Sequence, residues 1–157
     1  MGTATSQKSL LNIKVILLLV SLLLTGIVMR SLSPPHKLDT RAYYSYEEGR
    51  AYLEGLTEVQ KQKYLAGELF DFWFMINYTW LLFLAVKKYL PRKLLWLAFI
   101  PGILDFGETS LITYYLHFRE FSSIHQLLPF FSSLKWFLVF SILLYLGKMA
   151  FWRRANR

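Results

Sequence analysis

Four ionisable residues sit in stretches otherwise apolar enough for lipid: Asp71, Asp105, Glu108 and Lys135. A charge inside a bilayer costs several kcal/mol unless it is paired, hydrated or neutralised, so these positions carry the most chemical information in the chain. Asp105 and Glu108 are three residues apart, which puts both carboxylates on one helical face, about a turn from each other. A pair of that kind suits acid and base chemistry, with one group holding a proton while its neighbour acts as base. It equally suits cation or proton passage, or a plain interhelical lock in which Lys135 bridges Asp105 or Glu108. Three carboxylates and one lysine leave excess negative charge, so a proton held by one of them, a bound cation or a water-filled pocket is expected. Tyr78 and Thr109 lie where they can support the cluster.

Other chemistry is narrow. The 157 residues contain no cysteine, which excludes disulfides, thiolate metal sites and a thiol nucleophile. His36, His117 and His125 fall in or beside loops and form no helical pair for a haem or a di-metal centre. A Gly-rich phosphate loop, H-E-x-x-H and G-x-S-x-G are all absent. No catalytic residue or cofactor is assigned, and no metal site is expected. The net charge of +8 comes from basic residues beside apolar runs, which fits membrane anchoring and not nucleic acid.

These side chains must be held by helices in a membrane. With 55% hydrophobic and 18% aromatic residues, the chain carries more apolar surface than a soluble domain of this size can bury. The fold expected is all-α: one polytopic domain, a four-transmembrane-helix bundle with spans at about 13–29, 69–84, 94–116 and 127–149. No small-x-small cleavage pattern follows the first span, so it reads as an uncleaved anchor. Pro101, four residues before Asp105, is expected to kink the third helix, with Gly102 and Gly107 allowing close packing nearby.

Lys8, Lys14, the acid-free loop with Lys87, Lys88, Arg92 and Lys93, and the carboxyl-terminal Lys148, Arg153, Arg154 and Arg157 put both termini in the cytoplasm. Asp39, Glu47, Glu48, Glu54, Glu58 and Glu120 then fall on the outer side. Between the first two spans, Ser45-Tyr46-Glu47-Glu48 and Thr57-Glu58-Val59-Gln60 fit two capping boxes, predicting a short helical outer segment over about 45–66 whose second helix continues into the second span.

At Asp71-x-x-Phe74-x-x-x-Tyr78, Pro101-x-x-x-Asp105-x-x-Glu108 and Leu134-Lys135-Trp136 the chain resembles a group of uncharacterised small four-helix bacterial membrane proteins, over roughly residues 43–140. The group has an Asn after the acid of its third helix, whereas Thr109 follows Glu108 here. The resemblance implies a bacterial inner membrane and supplies no activity. A looser, fold-level similarity is to the sterol isomerase and sigma-2 receptor class, which also places acidic residues inside a small helical bundle. The expected function is a bundle that binds membrane lipid, a partner membrane protein or a second copy of itself, with no nucleic-acid partner. The alternatives are a membrane-embedded acid/base enzyme acting on an apolar lipid, or a proton- or cation-coupled transport component.

Overall fold

The computed structural model describes residues 3–32, 34 and 37–155; His36 and Arg157 lie outside them, as do the side chains of Lys8, Lys14, Arg153 and Arg154. The described residues are 87% helical with no strand, and four helices are long and apolar enough to cross a membrane. In chain order the helices are α1 (Thr3–Leu32), α2 (Tyr46–Gly55), α3 (Glu58–Lys87), α4 (Ile100–Phe118) and α5 (Leu128–Ala155), with 3-10 turns at Leu38–Thr40, Arg92–Ala98 and Ser123–Leu127.

Both capping boxes form. The Glu48 amide donates to Ser45 Oγ at 3.2 Å while the Ser45 amide donates to Glu48 Oε2 at 2.7 Å, opening α2. The Gln60 amide donates to Thr57 Oγ1 at 3.3 Å and the Thr57 amide to Gln60 Oε1 at 2.8 Å, opening α3. Each box satisfies two amides that the first turn would leave without partners. From Thr57 the helix continues for 30 residues without a stop. At 1.5 Å per residue that is about 45 Å, well over the roughly 30 Å of a hydrocarbon core.

Pro101 differs from the expectation. The stretch before it, Arg92–Ala98, is a 3-10 helix, and Pro101 stands in the first turn of α4. There its missing N–H removes no hydrogen bond and its fixed φ suits helix initiation, so it starts a helix instead of kinking one. The next residue sets the helix spacing: a Cβ on Gly102 would collide with Thr79 Oγ1 of α3, so only glycine lets α3 and α4 approach this closely.

The molecule is apolar outside and polar within. Ile16, Leu23, Ile103, Phe137 and Leu144 are more than half exposed, whereas Glu68, Glu108, Thr109, His125 and Ser132 are fully buried. That inversion of the soluble-protein pattern suits a lipid solvent. α3 packs against both α1 and α4, and α5 packs on α4, whereas among the described residues α1 and α5 have no extended packing, and a cavity lies between them. One apolar cluster, with Leu38, Leu53, Tyr64, Ile112 and Leu128, closes the bundle where α2 lies across it. A second, around Leu82, Val86 and Ala98, fills the opposite end, and the ionisable groups lie between the two.

Candidate functional site

Lys135 of α5 anchors the first half of the site. Its three ammonium protons are directed to Asp105 Oδ1 at 2.7 Å, Glu108 Oε2 at 2.7 Å and the Asp39 carbonyl at 3.2 Å. An ammonium has three donors, so Lys135 is saturated. The remaining carboxylate oxygens are met from elsewhere: Tyr78 of α3 donates to Asp105 Oδ2 at 2.9 Å, and Tyr44 donates to Glu108 Oε1 at 3.1 Å. The i, i+3 spacing of Asp105 and Glu108 thus presents both groups to one lysine, and the two tyrosines tie α3 and the segment before α2 to α4. The ring of Tyr44 fits because α2 carries a glycine beneath it; a Cβ on Gly49 would stand 2.9 Å from Tyr44 Cε2.

The second half contains residues that sequence reasoning missed. Lys37 forms ion pairs at 2.7 Å with both Asp39 Oδ2 and Glu68 Oε1. The Asp39 contact is also a hydrogen bond, whereas the one to Glu68 lacks hydrogen-bond geometry. Asp71 lies beside them and accepts from Thr109 Oγ1 at 2.9 Å, which links the two halves. Asp39, expected in the loop on the outer side, is buried, because Lys37, Leu38, Asp39 and Tyr44 turn inward to the helix bundle while Thr40, Ala42 and Tyr43 stay exposed. There the Leu38 amide donates to Tyr64 at 3.2 Å and Ser132 donates to the Arg41 carbonyl at 2.7 Å.

Glu68 had a usable signal. It precedes Asp71 by three residues, the spacing of Asp105 and Glu108, but it falls one residue outside a span taken to begin at Leu69. Lys37, Asp39 and Tyr44 had none, since their places depend on how a loop returns to the bundle. His125 serves structure: its Nδ1 accepts from the Ser122 amide at 3.0 Å, which leaves Nε2 to donate to the Leu111 carbonyl at 3.1 Å. His117, at the end of α4, stacks edge-on against Phe118.

The segment 37–44 lies outside the long apolar helices, and burial and nearby charge together set its electrostatics. Burial opposes the Lys37 ammonium, but the carboxylates of Asp39, Glu68 and Asp71 outweigh it and hold the group charged well past its ordinary range. Burial, reinforced by the charge of Glu108, raises Tyr44 far above its ordinary value, so it stays a hydrogen-bond donor.

The ionic groups form one end of a cavity of about 990 Å³ between α1, α3 and α5. Lys37, Asp39, Asp71, Asp105 and Lys135 line that end. Aliphatic and aromatic side chains, among them Phe74, Leu82, Ala85, Trp136, Val139, Leu143 and Leu146, line most of the rest. Asp71 and Ala85 are fourteen residues apart on α3, so the slot runs about 21 Å along the helix. Gly26, Met29 and Arg30, about one turn near the carboxyl end of α1, border part of it.

Four apolar crossing-length helices around a buried ionic cluster and a side cleft define a multi-pass helical membrane bundle. Neither a family model nor a curated protein or solved structure matches the chain.

Proposed function

We propose that this protein binds a membrane lipid in the cleft between α1 and α5, with the lipid's polar head against the ionic cluster and its chain in the apolar slot. The observation that carries the reading is the shape and chemistry of the 990 Å³ cavity, charged at one end and mostly apolar, aliphatic and aromatic, along the rest. Its size lies at the upper end of small-molecule sites, and the gap between α1 and α5 gives a route in from the side. Lipid entering sideways needs no passage through water.

The same reading puts both termini in the cytoplasm of a bacterium's inner membrane, with α2 on the outer face. Lys87, Lys88, Arg92 and Lys93, at the end of the bundle away from α2, support that orientation. A cysteine at Ser122 should then react with an impermeant thiol reagent added to intact cells, and one at Lys88 should not; the reverse pattern overturns the orientation.

Lipid extracted from the purified protein tests the function. One amphiphile should be retained in roughly equal molar amount and enriched over the membrane's composition. Ala85→Trp and Leu143→Trp, which fill the slot, should displace it while the fold survives. Retention of bulk phospholipid alone, unchanged by both substitutions, would refute the proposal.

A further inference from the structure

The two halves of the ionic cluster differ in how well they are satisfied. Around Lys135, every oxygen of Asp105 and Glu108 receives a hydrogen bond from a lysine or a tyrosine. Around Lys37 they do not. Asp39 Oδ1 and both oxygens of Glu68 are buried and accept no hydrogen bond, although Lys37 stands 2.7 Å from Glu68 Oε1. Glu68 has no exposed surface at all. A buried carboxylate oxygen left without a donor costs far more than one that is paired, so this half has an unmet demand for positive charge.

We propose that Asp39, Glu68 and Asp71 bind one hard divalent cation of the size of Ca²⁺. Each contributes an oxygen to a set whose members all lie within 4.8 Å of one another. Oxygens on opposite sides of a Ca²⁺ ion, at about 2.3–2.6 Å from it, stand roughly 4.6–5.2 Å apart, so a set this compact can close around one ion once the Lys37 ammonium, 2.7 Å from Asp39 and Glu68, gives way. Ionised, the three carboxylates and Lys37 sum to −2, which a divalent ion balances while the lysine keeps its proton. The other half, Lys135 with Asp105 and Glu108, sums to −1 and is quieted by Tyr44 and Tyr78. The ligands are all oxygen, with neither cysteine nor histidine among them, which selects against soft metals. Asp39 and Asp71 line the cleft, so the ion can enter from it and complete its shell with water, while Glu68 grips from behind.

Lys37 shares Asp39 and Glu68 with the ion and therefore acts as a tethered competitor. This gives the site a signature that a merely structural cluster lacks: removing a positive charge should tighten the binding of a positive ion.

The test is equilibrium dialysis of the full chain, stripped of lipid and treated with chelator in detergent, against radioactive Ca²⁺ up to about 1 mM, the range of extracellular calcium modules. The wild-type protein should take up one ion per chain in a saturable manner. Glu68→Gln and Asp71→Asn should each weaken uptake at least tenfold, and Lys37→Met should strengthen it at least threefold. No saturable uptake by the wild-type chain overturns the proposal, as does uptake that Glu68→Gln and Asp71→Asn leave unchanged. Should the acid variants fail to fold, Lys37→Met decides: tighter binding supports the site, and unchanged binding overturns it. Because lipid is absent, failure here is separate from failure of the lipid reading.

Discussion

Replacing Lys135 by Met keeps the volume and the aliphatic stem but removes the charge. Asp105 Oδ1, Glu108 Oε2 and the Asp39 carbonyl then all lose their donor at once, in a site where Lys135 is 5% exposed and Glu108 fully buried. Breaking a buried ion pair from one side costs about 3–5 kcal/mol, because the partner charge stays behind without compensation. Glu108→Gln in the same chain removes one of the two stranded charges and keeps an acceptor for Tyr44. The double variant should therefore be more stable than Lys135→Met alone, with a coupling of about 1–3 kcal/mol, in the upper part of the roughly 0.5–3 kcal/mol range for residues in one ionic network. The assay is denaturant unfolding in micelles, followed by helical signal, for the wild-type chain, both single variants and the double. Effects that add to within about 0.5 kcal/mol would refute the reasoning, since independent sites behave that way. Lipid retention measured on the same four proteins separates structure from binding. A double variant that is stable but no longer holds lipid marks the cluster as part of the site.

Gly102→Ala should destabilise the protein by roughly 1–3 kcal/mol, as overpacking does, because the new Cβ meets Thr79 Oγ1 across the α3–α4 interface; Thr79→Ala should restore most of the loss, and unfolding midpoints check both. Alkali should also loosen the bundle. Tyr44 and Lys37 have folded pKa values raised above their ordinary 10.0 and 10.5, so their stabilisation is complete below about pH 10 and falls as pH climbs beyond it. Tyr44→Phe should cost about 1.5–3 kcal/mol at neutral pH, the worth of a hydrogen bond to a charged group. It should also remove about 1.4 kcal/mol per pH unit from the alkaline slope; an unaltered slope would mean that Tyr44 titrates alike in the folded and unfolded chain.

Much of this protein is written locally. Four apolar runs, two capping boxes and the turn residues between them are properties of neighbouring residues, and lipid turns each apolar run into a helix because its backbone groups have no other partners. The facing of Asp105 and Glu108 follows from helical period alone, and Glu68 with Asp71 repeats it. Pro101 shows where local reading stops: its sequence position allows a kink or a helix start, and the choice fell to the 3-10 stretch at Arg92–Ala98. The larger share of the site came from tertiary structure. Nothing near Lys37, Asp39 or Tyr44 in sequence announces a buried ionic group, for each gains its role by meeting α3, α4 or α5 across long separations, as Tyr44 meets Glu108 sixty-four residues away. The cleft is less legible still, because it lies between two helices that have no extended packing among the described residues. Periodicity says which face of a helix is apolar, but only packing decides whether that face meets a neighbour, a lipid or a slot between them.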